Sequence, residues 1–232
     1  MTALRELLTW FNDPDNWRGS GGIPHRVLEH LSFWAWSMVI AGAIGVIGGL
    51  LLGRSKRSGV VTINVANIGR AIPSFAVLVL AVIWLGFGST PVIITLVLLA
   101  LPPIFTFTFT GVRQVDAATV DAARGMGMSE PRVLREVQVP LALPLILNGT
   151  RLSSAAVLAT APLAALVGSG GLGRYVVDGF SNRDFTQVRA GVALVVLLVV
   201  LNELAFVGLL RAVSGGKRSA RSELRRDAAA TS

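Results

Sequence analysis

The sequence predicts an all-α membrane protein with a five-span core, and three observations carry that prediction. Of 232 residues, 53% are hydrophobic and only 15% charged, too apolar for an ordinary soluble domain of this length. Five stretches approach the roughly 20 apolar residues that cross a bilayer. The basic residues gather in alternate connections, as the positive-inside rule requires of a polytopic protein. The net charge of +8 therefore follows from topology and does not call for nucleic acid. There is no cysteine, which excludes disulfides, thiol catalysis and Cys-ligated metals. The N-terminus lacks the pattern of a cleaved signal peptide.

The first span runs from about Leu31 to Gly53. Its Gly42, Gly45, Gly48 and Gly49 offer a small-residue face for close helix contact, and Trp34 and Trp36 suit an aromatic belt. Arg54, Lys56 and Arg57 end it. The second, about Ala71 to Phe87, is short, and the semi-polar stretch Val60 to Arg70 is expected to extend it as helix. Gly86, Gly88, Ser89 and Pro91 make a tight uncharged turn into the third, about Val92 to Val112. Pro102 and Pro103 there predict a break that re-aims the helix end. The fourth, about Leu141 to Val167, exceeds one hydrocarbon thickness, so Arg151 is expected near the interface, snorkelling towards water. The fifth runs from about Val188 to Val213 and holds Asn202 and Glu203.

With the N-terminus outside, internal segments hold Arg54, Arg57, Arg113, Arg124, Arg132, Arg135 and the basic C-terminus, leaving few basic residues outside. The orientation is then N-terminus outside, C-terminus cytoplasmic. Residues 1–30 form an extracytoplasmic or interfacial segment and 31–213 the transmembrane domain. Residues 214–232, polar and basic, read as a disordered tail against the anionic leaflet.

Between the third and fourth spans lies a charged island. Asp116 to Met126 favours helix, Gly127 permits a sharp turn, Ser129 can cap a second helix with Pro131 near its start, and Pro140 interrupts it before the membrane. Physics alone gives a helix-turn-helix elbow on the cytoplasmic surface, equally consistent with a plain connector.

Asp121-Ala122-Ala123, then Gly127, then Val137-Gln138-Val139-Pro140 resembles the cytoplasmic Glu-Ala-Ala…Gly…Ile-x-Leu-Pro signature of ABC importer permeases. Asp for Glu and Val for Ile and Leu are conservative departures. The resemblance implies that this segment is the coupling helix seated in a cleft of an ATP-hydrolysing subunit. Ala122 and Ala123 would allow close approach, Gly127 would set the elbow, and neighbouring Arg and Glu residues would pair across the interface. Ala71-Ile72-Pro73-Ser74, Leu101-Pro102-Pro103 and Gly168-Ser169-Gly170-Gly171-Leu172-Gly173 extend the likeness to nearly the whole length between Trp17 and Arg211. Together they resemble the permeases of osmoprotectant importers for glycine betaine, choline or carnitine. The resemblance implies a multi-pass bacterial inner-membrane protein working by alternating access. Its partners would be ATP-binding cassette subunits, a second permease, identical or related, an extracytoplasmic binding protein and membrane lipid.

Individual residues sharpen this reading. Gly168 to Gly173 has the spacing of a nucleotide-binding loop but follows a membrane helix rather than a strand, so it reads as a re-entrant turn at the outer mouth. Neither of the two lysines, Lys56 and Lys217, sits in a P-loop, so ATP is hydrolysed on another chain and no cofactor is expected here. His25 and His30 are too few for a metal site. No catalytic cluster is found, and the chain is not expected to be an enzyme. Glu203, the one acid deep in a span, is a pathway candidate together with Asn202, Gly170, Gly171 and Pro73; it could equally pair with Asn202 or a neighbouring helix. A permease for another small solute such as an amino acid would share the elbow. A proton-coupled secondary transporter using Glu203 would need no ATPase.

Overall fold

The computed structural model describes residues 2–54 and 73–230, with side chains described as far as residue 213. An amphipathic helix, α1 (Thr2–Asn12), and a 3₁₀ turn at Pro14–Trp17 precede α2 (Ile23–Gly53), which starts eight residues before the expected span. Then come α3 (Ser74–Leu85), α4 (Ser89–Arg113), α5 (Ala117–Gly125) and α6 (Glu130–Val133). A π-helical turn at Leu134–Gln138 leads into α7 (Val139–Thr160), a 3₁₀ segment at Ala161–Val167, α8 (Gly173–Asn182) and α9 (Phe185–Ala230).

The central layer is α2, α4 and α7. Lipid-facing surfaces are as apolar as helix interfaces, so membrane helices associate through close packing rather than hydrophobic drive. Here Ala41, Gly45, Gly49 and Gly53, spaced by four, are buried on one stripe of α2. A Cβ on Gly45 would lie 2.9 Å from Ile104 Cγ2, and one on Gly49 would lie 2.6 Å from Thr108 Cβ. The expected small-residue face is thus real at Gly45 and Gly49, and Gly48 lies against the Phe105 ring. Gly42, by contrast, faces open space. Phe33, Leu96, Ala100, Ile104 and Val157 complete the main core, with α3 laid against α4 through Leu78. On the outside of the bundle, α9 packs against α7, α8 and α1.

Among the described residues, four helical stretches are long and apolar enough to span: Ile23–Gly53, Ser89–Arg113, Glu130–Val167 and Phe185–Val213. The fifth crossing follows from connectivity. Gly53 packs on Val112 at the end of the bundle that carries α5 and α6, whereas Gly88, just before α4, accepts a hydrogen bond from Ser169 at the other end. The chain must therefore return between them. Its described part is α3, twelve residues and about 18 Å long, shorter than a bilayer core. Residues 71–72 and the Val60–Arg70 extension lie outside the described residues.

Two sequence expectations need correction. The Pro102–Pro103 pair does not break α4, which is one helix from Ser89 to Arg113. The helix is held there by packing on its neighbours, and one side chain of α7 reaches it, Ser153 Oγ donating to the Ala100 carbonyl at 2.8 Å. Nor does Pro140 interrupt the helix entering the membrane. The π turn before it widens the hydrogen-bond pattern, with Val139 N–H pairing to the Leu134 carbonyl, so that a residue lacking N–H is accommodated. The helical backbone of α9 is described as far as Ala230. The Ala, Arg and Glu of that stretch are strong helix formers.

Candidate functional site

The elbow is built as its residues dictate. Asp116 caps α5, its carboxylate accepting from Ala118 N–H at 3.4 Å and Thr119 N–H at 3.3 Å. Gly127 takes φ +82°, a conformation costly to any residue with a Cβ, and the chain reverses there with Met128 N–H on the Ala123 carbonyl. Ser129 stands at the cap of α6 but makes no side-chain cap bond; its carbonyl receives Val133 N–H at 2.9 Å.

Val120, Ala123 and Val133 close a small core of the elbow, with Val115, Met128 and Val137 against it. Two of the expected docking residues therefore point inward. Ala123 is only 2% exposed, and its small side chain is required by packing within the elbow, as is the side chain of Val137. Asp121, Ala122, Gly127 and Pro140 are exposed. The charged neighbours pair within the chain rather than waiting for a partner. Arg124 binds Glu130 at 2.8 Å and Asp121 at 3.0 Å, Arg54 at the end of α2 binds Glu130 at 2.5 Å, and Arg132 binds Glu136 at 3.0 Å. The hydrogen bonds Arg124 donates to Glu130, and then to Asp121, hold its guanidinium above its ordinary range. A 260 Å³ cleft, walled by Arg113 and Gln138 among others, separates the elbow from the ends of α2 and α4.

At the opposite end the glycine loop is clamped onto α2. Gly171, at φ +86°, donates its N–H to Glu29 Oε2 at 2.8 Å, and the same carboxylate lies against Gly170, where a Cβ would fall 2.3 Å from Oε2. Arg26 and His25 approach Glu29 at 2.8 and 3.3 Å. His30 is fully buried, and its Nε2 donates to the Leu158 carbonyl at 3.1 Å, so it serves as a helix tie rather than an interfacial residue. Tyr175 donates to the Gly21 carbonyl at 2.7 Å, and burial pushes its phenol up to about 12 against the opposing charge of Arg26. Glu29 carries no sequence signal, and His30 stands out there only as too isolated for a metal site. The only cue was their spacing from the loop, invisible until α2 and α8 are brought together.

The remaining candidates lie at mid-depth. Trp34 Nε1 donates to Ser154 Oγ at 2.8 Å, and Ser154 in turn donates to Asn202 Oδ1 at 2.5 Å, linking α2, α7 and α9. Glu203 pairs with Arg151 of α7 rather than with Asn202. Arg151 therefore does not snorkel to an interface; it stands near the middle of its span and finds its counter-ion there. Pro73 is exposed at the cap of α3 and belongs to neither group. The pathway candidates thus fall in three places: Pro73, the glycine loop, and the Asn202–Glu203 region.

A crossing bundle with an exposed elbow at one end and a clamped loop at the other has close counterparts. Residues 41–218 match the family model described as binding-protein-dependent transport system inner membrane component. The carnitine transport permease protein OpuCB of Listeria monocytogenes is 37% identical over 178 residues, covering 76% of this chain and 81% of that protein. The osmoprotectant import permease protein OsmY of Salmonella typhimurium is 35% identical over 175 residues, covering 75% and 74%. Among solved structures, an inward facing MetNI methionine ABC transporter aligns with a TM-score of 0.72 at 25% identity, over 82% of this chain and 95% of that one. An amino acid ABC transporter at 18% identity, TM-score 0.65, over 89% of this chain and 96% of that one, bears on the fold alone. The chain belongs to the family of binding-protein-dependent transport system inner membrane components.

Proposed function

We propose that this permease imports osmoprotectant quaternary amines such as glycine betaine, choline or carnitine, driven by ATP hydrolysed on a separate subunit. The observation that carries the substrate class is the likeness, over about three quarters of this chain, to permeases named for osmoprotectant and carnitine transport. The elbow supports the coupling role. It is a compact unit with its own core, held to the bundle by Arg54–Glu130, and it offers Asp121, Ala122 and Gly127 outward as a docking face for an ATPase. In this reading the elbow end faces the cytoplasm, which puts the N-terminus and the glycine loop outside, where a binding protein delivers solute. A second permease completes the pathway. When the ATPase pair closes on ATP, the elbows move together and the spans open outward.

Uptake of labelled betaine, choline, carnitine and amino acids tests the proposal, comparing cells with and without this chain at raised osmolarity. Loss confined to the quaternary amines is expected. Loss confined to amino acids would instead favour the second reading, an amino-acid permease, for which the likeness to the methionine transporter speaks.

A further inference from the structure

We infer that Arg151 and Glu203 form a solute-binding site inside the membrane, shaped for a zwitterion that carries a carboxylate and a quaternary ammonium. The inference rests on the quaternary-amine reading above and adds to it a place where the permease itself touches the solute.

Arg151 lies mid-way along the α7 crossing and Glu203 somewhat past the middle of the Phe185–Val213 span. Charges at that depth are costly unless they face protein or water. The two are not sealed in the core, since their side chains remain 33% and 39% exposed. What they face is a 410 Å³ cavity, walled also by Phe107, Asn148, Leu152 and Val199, within the usual range of about 300–1,000 Å³ for small-molecule sites.

The pairing itself leaves room for a ligand. An arginine–carboxylate bridge frequently, though not always, engages both oxygens in a fork. Here Arg151 Nε, at 2.7 Å, and Nη2 both donate to Glu203 Oε1. Among the described residues, Glu203 Oε2 and Arg151 Nη1 make no hydrogen bond. A spare cation acceptor and a spare anion donor thus lie side by side on one cavity wall. Asn148 gives its Nδ2 to the Pro144 carbonyl at 2.9 Å, leaving its amide oxygen for the cavity. Phe107 adds an aromatic ring, whose face attracts a quaternary ammonium that cannot itself donate hydrogen bonds. A solute carboxylate would take Arg151 Nη1, while its ammonium would rest between Glu203 Oε2 and Phe107. Arg151 and Glu203 satisfy each other's charge, and a zwitterion can enter without leaving either unpaired.

The test uses the complete importer, with its partner subunits and binding protein, in proteoliposomes. Labelled glycine betaine is compared with choline, which has the ammonium but no carboxylate. Arg151→Gln is expected to lower maximal betaine uptake about tenfold and choline uptake by less than about threefold, and Glu203→Gln to lower both about tenfold. The half-saturating concentration and ATPase stimulation by loaded binding protein should stay at wild type, because both are set elsewhere. The doubly swapped variant, Arg151→Glu with Glu203→Arg, keeps an ion pair and is expected to assemble yet still lose betaine uptake about tenfold; it decides the matter if the single variants do not assemble. Wild-type uptake by the swapped variant, or equal losses of both solutes in Arg151→Gln, would reduce the pair to a structural tie or a contact with the second permease. A wild-type importer that carries neither solute would overturn the quaternary-amine reading itself, an outcome distinct from unaffected variants in a working importer.

Discussion

Ala122 and Ala123 are neighbours with the same side chain, and the elbow separates their roles cleanly. Ala122 is exposed, so Ala122→Arg should alter the permease's own stability by no more than about 0.5 kcal/mol. If an ATPase closes over that face, the new guanidinium is buried without a counter-ion. The cost is then about 3 kcal/mol or more, over a hundredfold in association. Ala123, 2% exposed between Val120 and Val133, behaves differently. An arginine there is forced into the elbow's own core, costs on the order of 3–5 kcal/mol and disrupts the elbow whether or not anything docks. Its loss of function would not distinguish docking from folding. Gly127→Ala meets no atom within 4 Å but must hold φ +82°, for about 1–2 kcal/mol. The assay is co-purification of the ATPase with tagged permease in mild detergent, together with ATP-dependent uptake. The docking argument expects Ala122→Arg to insert normally, lose ATPase capture and abolish uptake. Normal capture and uptake by that variant would refute it and leave the elbow a connector.

Gly49→Ala and Gly42→Ala make a matched pair on α2. A Cβ at Gly49 would sit 2.6 Å from Thr108 Cβ and should cost about 1–3 kcal/mol, while Gly42 has open space and should gain a few tenths from helix propensity. Thermal melts in detergent should separate the two, and coincident melts would argue against the close α2–α4 contact. Glu29→Gln weakens the clamp on the glycine loop by about 1–3 kcal/mol, so amide exchange at residues 168–173 should accelerate roughly tenfold or more. Unchanged exchange would mean that the carboxylate does not hold the loop. Because the chain has no native cysteine, single cysteines report topology directly. Ser89→Cys and Ser181→Cys should label from outside intact cells and Ser129→Cys only after permeabilisation, and the reverse pattern would overturn the proposed orientation.

How much of this was legible depended on the range of the interaction. The spans and the elbow are local: apolar length, the Asp116 cap, the positive φ at Gly127 and the glycine run before Gly53 are written within a few residues of where they act. The errors were also local rules applied without neighbours. Pro102–Pro103 and Pro140 read as breaks, yet α4 runs on through the first and a π turn absorbs the second. Ala123 read as a docking residue because a small side chain permits close approach, but one sequence cannot say which element makes that approach. The long-range ties were out of reach. Gly171 and Glu29 are 142 residues apart, and Arg151 and Glu203 are 52 apart, so neither pairing leaves a periodic trace.

The two ends of the molecule are joined by one rod. At one end of α2, Glu29 holds Gly171 and His30 holds the Leu158 carbonyl; just beyond the other, Arg54 holds Glu130 of the elbow. A helix of 31 residues is about 46 Å long and stiff over that distance. The Ala41, Gly45, Gly49 and Gly53 stripe brings its backbone against α4, where no long side chain can take up slack by changing rotamer. A displacement of the elbow therefore cannot be absorbed within the α2–α4 contact; it must either slide one helix along the other or move both together and pull on the loop. Sliding would drive Thr108 and Ile104 across the backbone of α2, past points where a single added carbon already clashes. Joint movement would have to carry the Gly171 loop through Glu29, the Leu158 carbonyl through His30, and the α7 surface packed on both helices.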